Sequence, residues 1–287
     1  MKEVKMNTIL QICDNFSSYL SKKKLGQSTQ QSYCAVLKQF LLFLEDNFGW
    51  EANQLLEKHH FRGYYLSLFL QRQEKNTTLE KKISILRTWA NSCNFKLPTY
   101  YEFRGTIPTF DELRRLFNSA QGKQLTGIRD KLLLLLLLGY GLSSTELNRI
   151  KLHNIDLEKK QMFLNQNNNL EARTLPLIPQ LYDLLQHYLQ VANPSDNLLL
   201  NTNNQPLTEA GIRFILQKLL AKAGLPNYSP RDIRRGWLKY LSYREPIAIV
   251  LALSGLGPQM LKPMNYQQIL EEWLHALSEK ATEVSPF

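Results

Sequence analysis

The stretch Ser229-Pro230-Arg231-Asp232-Ile233-Arg234-Arg235-Gly236-Trp237 governs the reading of this chain. Serine followed by proline spells a helix start. The serine oxygen can accept from the free N–H groups of the first turn, and proline gives up nothing at the first helical position because that N–H has no partner in any case. The spacing predicts a helix over 230–242. Arg231 and Arg234 fall one turn apart and so share a face by spacing, with Arg235 next to them. Planar guanidiniums beside the positive end of a helix suit a phosphate, to which each can donate a pair of hydrogen bonds. The same residues also describe a solvated basic helix end, so the surrounding sequence has to choose.

The chain has 287 residues, of which 44% are hydrophobic, enough for a substantial core divided between two domains. Lys and Arg number 35 against 25 Asp and Glu, and the surplus of +10 attracts polyanions or acidic membrane surfaces. The longest apolar run, Leu132 to Leu138, falls well short of the ~18 residues of a membrane span and reads as a buried helix. The N-terminal segment is amphipathic and interrupted by Asp14 and Asn15, unlike a secretory signal, so a cytoplasmic protein with no membrane association is expected. Cys13, Cys34 and Cys93 are odd in number and widely spaced, which predicts plain core thiols rather than a disulfide framework or zinc site. Neither a metal nor a cofactor is expected.

Residues 1–97 read as a four-helix bundle. Apolar residues recur at helical spacing through Ile9, Ile12 and Phe16, then through Tyr33, Leu37, Phe40 and Leu44 after a Ser28-Thr29 cap, then over 60–70, and finally through Ile85, Leu86 and Trp89 after Asn76. Lys38, Lys81, Lys82 and Arg87 fall on the polar faces of the second and fourth helices, where they could hold a DNA backbone or simply be solvated. Residues 98–109, with Pro98, Gly105 and Pro108, read as a linker. Residues 110–287 form a second, mostly helical domain. Its helices are predicted over 110–120, 126–140, 180–191, 208–224, 230–242, 247–253 and 267–280, with a short one capped by Ser143 and Glu146. A hairpin of 161–164 with 173–177 surrounds the polar turn Asn165 to Asn169.

This order of elements resembles the tyrosine recombinases, the Xer and phage-integrase family, from about Ile9 to Lys280. Residues 141–147, Gly-Leu-Ser-Ser-Thr-Glu-Leu, stand where that family writes Gly-Leu-Arg-x-Ser-Glu-Leu. Arg173 to Leu177 matches the strand after its Gly-Lys-Gly turn, and residues 229–235 match Ser-Pro-His-x-Leu-Arg-His. The resemblance implies a mainly α fold with a SAM-like core-binding bundle, followed by a catalytic-type domain that carries a small sheet. It implies metal-free chemistry in which a tyrosine attacks a DNA phosphate flanked by two arginines, a lysine and proton-transferring histidines.

Carried over position by position, the first arginine falls on Ser143, the lysine on Asn168, the first histidine on Arg231 and the later His or Trp on Leu256. Arg234 survives as the second arginine, and Tyr266 lies about one residue beyond the nucleophile's place. Loss of one preorganised donor costs about 10²–10³ in rate and loss of proton transfer about 10²–10⁴, so several losses together leave almost nothing. The sequence therefore predicts a protein that binds duplex DNA between its two domains without cutting it, with Arg173, Arg231, Arg234 and Arg235 as a static phosphate clamp. It would serve as a regulator, accessory subunit or architectural factor in recombination or integration. Two alternatives stand beside it: an active recombinase using Arg234 and Tyr266, and a fold kept for protein contacts only. The apolar stripe Leu270, Trp273, Leu274 and Leu277 predicts that residues 267–280 dock either on their own domain or on a partner, which would be a second copy on DNA or an active recombinase.

Overall fold

A computed structural model describes residues 2–51, 54, 56–71, 76–95, 107–122, 124–167, 170–259 and 265–279. The expected linker over 98–109 lies largely outside them, and so does Asn168. The protein is mainly helical with one small antiparallel sheet. It divides into two compact units, Met1–Phe103 with Pro246–Ala248, and Arg104–Glu245 with Ile249–Phe287. Among the described residues no helix is long and apolar enough to cross a membrane.

The first unit contains α1 (Lys2–Lys22), α2 (Gln27–Phe48), α3 (Lys58–Gln71) and α4 (Asn76–Ser92). Phe40 sits at its centre, stacked on Phe61 at 4.9 Å and meeting Tyr64 and Trp89 edge-on at 5.1 and 5.9 Å. Offset and edge-on pairs of this kind add stabilisation beyond the area they bury. Helix α2 does not use its expected cap. Gly26 stands at the N-cap with no side-chain hydrogen bond, and Ser28 and Thr29 lie inside the first turn. Gly49 closes the helix in the left-handed conformation at φ 60°, donating its N–H to Glu45. Cys13 is buried, but Cys93 is exposed, so it is not the core thiol expected of it.

In the second unit, α5 (Phe110–Ser119) starts at a capping box between Thr109 and Glu112. It is followed by α6 (Leu125–Leu134), which continues as a π-helical turn over Leu135–Gly139 rather than as the uniform helix expected. Every leucine from 132 to 138 is at most 3% exposed, so this segment is the axis of the core. Carbonyls released where the helix widens are taken up by two indoles: Trp273 Nε1 donates to Leu138 at 2.7 Å and Trp237 Nε1 to Gly139 at 3.2 Å. The short α7 (Ser144–Arg149) leads to β1 (Ile155–Asp156), β2 (Gln161–Leu164) and β3 (Arg173–Pro176), in sheet order β1-β2-β3. The expected hairpin is β2 with β3, while β1 is a strand the periodicity was too short to reveal. Alternation sends Met162 and Leu164 inward and Phe163 outward, and in β3 it carries Arg173 to the buried side with Leu175.

Five more helices complete the unit among the described residues: α8 (Pro179–Ala192), α9 (Glu209–Lys222), α10 (Pro230–Ser242), α11 (Ile247–Ser254) and α12 (Tyr266–Ser278). Helix α12 lays its apolar stripe on its own unit. Trp273 and Leu277 are 0% exposed, the Trp273 ring meets Phe110 edge-on, and a Cβ on Gly139 would meet Leu274 at 2.8 Å. The stripe is thus spent within the chain. Docking on a partner through 267–280 would require first exposing two fully buried side chains.

Candidate functional site

Ser143 and Glu146 form the N-terminal box of α7. Ser143 Oγ accepts from the Glu146 N–H at 3.2 Å, while Glu146 Oε2 accepts from the Ser143 N–H at 2.8 Å and its hydroxyl at 2.7 Å. Ser143 is therefore a helix cap.

The same carboxylate organises the neighbouring cations. Arg173 Nη1 donates to Glu146 Oε1 at 2.6 Å and Arg234 Nη1 to Oε2 at 3.2 Å. Carbonyls from the end of α11 complete the shell: Arg173 Nε reaches Leu253 at 2.7 Å and Arg234 Nη2 reaches Ser254 at 2.6 Å. Arg234 Nη1 also reaches Gly141 at 2.5 Å. Cations at a helix C-terminus meet its unsatisfied carbonyls and the negative end of its dipole. Two glycines make the close approach possible. At Gly141, φ +62°, a Cβ would enter the Trp237 ring, and at Gly255, φ +73°, it would enter the Arg173 guanidinium.

Glu146 is 4% exposed and the two arginines 2% each. Burial pushes the Glu146 carboxyl up, but the charges of Arg173 and Arg234 and the hydrogen bonds from Ser143 and Arg173 outweigh it and hold its pKa below the ordinary carboxylate value. Two positive charges face one negative one in this interior. Among the described residues, Arg173 Nη2 and Arg234 Nε are buried without a hydrogen-bond partner.

The expected four-guanidinium clamp is not what the fold builds. Arg231 is exposed, whereas Arg234, one turn on, is interior. Residues three apart on a helix differ by about 60° in direction, and the edge of the buried face passes between these two. Arg235 is 4% exposed and donates to Asp232 Oδ1 at 2.7 Å, within the capped first turn that Ser229 and Asp232 form. Leu256 is a core residue, 3% exposed. Tyr266 opens α12 and is 8% exposed, following the N-cap Asn265. In the first unit Lys81 and Arg87 are exposed, and Lys38 and Lys82 are half-buried.

One surface escaped the sequence reading. Helix α9 buries Ile212, Ile215, Leu216, Leu219 and Leu220, and its outer face carries Arg213, Phe214, Gln217 and Lys218, all exposed. Phe214 is 69% exposed, the most exposed large apolar side chain among the described residues. Its place outside the apolar stripe was the available signal.

The chain belongs to the phage integrase family, which it matches over residues 108–255. It is similar to tyrosine recombinase XerC of Staphylococcus carnosus (strain TM300), at 28% identity over 236 residues that cover 75% of this chain and 78% of that protein. XerC of Staphylococcus epidermidis (strain ATCC 12228 / FDA PCI 1200) is also 28% identical, over 253 residues covering 81% and 80%. Among solved structures, XerA recombinase aligns over 96% of this chain and 95% of its own, with a TM-score of 0.46 and 15% identity.

Proposed function

We propose that this chain is a DNA-binding member of the tyrosine recombinase family that holds the phosphate backbone without cleaving it. The observation that carries the reading is Ser143: the position that should offer a guanidinium to the phosphate caps α7, and its partner Glu146 holds Arg234 below the surface. Attack on a phosphodiester needs cations facing the developing charge and a proton for the departing oxygen. Arg231, standing where relatives carry histidine, cannot exchange a proton near neutral pH.

The contacts fall to the exposed cations. Lys81 and Arg87 on α4, Arg231 at the head of α10, and Arg213 and Lys218 on α9 are solvent-facing. Arg and Gln along one helix face match the hydrogen-bonding edges of bases in a major groove, and Phe214 matches a thymine methyl. Residues 1–97 act as a core-binding half and 110–287 as a catalytic-type half, joined by 98–109, so the linked pair binds more tightly than either alone. Such a protein works in the cytoplasm as a regulator, accessory subunit or architectural factor at a recombining locus.

The test is a nicked suicide duplex, on which a cleaving enzyme is trapped as a covalent adduct. The expected result is a non-covalent complex that weakens with salt and is the same for wild type and Tyr266→Phe. An adduct that disappears in Tyr266→Phe would establish an active recombinase instead. Weak binding with no salt dependence would favour a fold kept for protein contacts.

A further inference from the structure

We infer that the cleft between α7 and the end of β2 is a nucleobase subsite, in which Arg149, Phe163, Asn165 and Gln166 receive an unpaired base of a bound strand. The inference rests on the DNA-binding reading above and assigns residues that reading does not use. The cleft has a volume of about 90 Å³ and is lined by Glu146, Arg149, Phe163, Asn165, Gln166 and Asn167, among others. Against the ~300–1,000 Å³ of ordinary small-molecule pockets, it is too small for a whole cofactor, and a planar ring would rest at its open mouth against Phe163.

Part of its lining is chemically unspent. Phe163 is 44% exposed on the outward side of β2. Among the described residues, the Arg149 guanidinium and the Asn165 and Gln166 amides have no hydrogen-bond or ionic partner. Asn167 is committed, its Oδ1 accepting from the Leu170 N–H at 3.1 Å. Glu146 forms part of the wall, and its oxygens already accept from Ser143, Arg173 and Arg234. What favours a planar ring there is Phe163, on which it can stack, with the Arg149, Asn165 and Gln166 donors and acceptors around its edge. Only a base out of the helical stack presents both its face and its edge. Glu146 also holds Arg234 at 3.2 Å, so the subsite lies one side chain from the arginine the family sets on phosphate.

The experiment measures, by fluorescence anisotropy on the full chain at low salt, binding of two duplexes of one sequence, one fully paired and one with a single extra unpaired thymidine. Wild type should prefer the bulged duplex about tenfold, within the range that stacking one base on an aromatic side chain supplies. Arg149→Gln and Phe163→Ser, both at exposed positions, should each bring the ratio towards one. Lys218→Gln, on α9, should weaken both duplexes and keep the ratio. Equal wild-type affinities overturn the proposal. A preference surviving in both cleft variants also overturns it, because the bulge is then read elsewhere. Binding of neither duplex overturns the DNA-binding reading and this subsite with it.

Discussion

Replacing Glu146 by Gln keeps the shape of the side chain and removes its charge. The carboxylate accepts from the Ser143 N–H and hydroxyl, from Arg173 and from Arg234, at distances of 2.6 to 3.2 Å. In either orientation of the new amide, one guanidinium meets an N–H₂ group instead of an acceptor, and both cations lose their only buried counter-charge in the cluster. Breaking a buried pair in this way costs about 3–5 kcal/mol, far more than the pair contributes over an apolar equivalent. For a domain of this size each kcal/mol lowers the midpoint by about 2–4 °C, so thermal unfolding of the second unit should fall by roughly 6–20 °C. Differential scanning calorimetry on the full chain measures it.

Two controls sharpen the result. The combined variant Glu146→Leu, Arg173→Met, Arg234→Met removes all three charges and should recover only part of the loss, because the Gly141, Leu253 and Ser254 carbonyls and the Ser143 N–H then lack their partners. The pH dependence has a fixed sign. The Glu146 pKa is held down in the folded state, so its contribution is complete above the unfolded value of about 4.3 and is lost as pH falls through the lower folded value. Glu146→Gln should therefore lose stability less steeply in acid than wild type. A Glu146→Gln protein within about 0.5 kcal/mol of wild type at neutral pH would refute the reasoning, since surface substitutions give changes of that size.

Gly255→Ala should cost about 2 kcal/mol or more in denaturant unfolding, from left-handed backbone plus the intrusion on Arg173. Gly224→Ala, also left-handed but with open space around it, should cost only the backbone part, so equal costs would mean that Arg173 moves aside freely. Trp273→Ala should destabilise the second unit by about 3–5 kcal/mol in the same assay. Sedimentation of that variant should show no loss of a self-associated species, in keeping with α12 packing on its own unit. Arg213→Gln should weaken DNA binding and lower the slope of log K against log salt by about one, and an unchanged slope would remove α9 from the interface.

The local signals in the sequence were read correctly wherever one residue satisfies the backbone of its neighbours. Ser229 with Pro230 placed α10 at Pro230–Ser242, and Ser143 with Glu146 placed α7, because a cap acts over three residues. The start of α2 was misread because Ser28 and Thr29 are good caps that the chain does not use, Gly26 taking the position instead. The fate of the arginines was not legible at all. Helical spacing put Arg231 and Arg234 together, yet the first is solvated and the second interior. What separates them is the position of the core around α10, and what holds Arg234 is a carboxylate 88 residues away in sequence, shared with an arginine 27 residues from it. The amino-acid sequence by itself made the family and most of the helices legible. Only the tertiary structure decided that Arg173, Arg234 and Arg235 turn inward while Arg231 stays at the surface, because an arginine's direction depends on which distant acceptors and carbonyls the packed chain brings within hydrogen-bond reach.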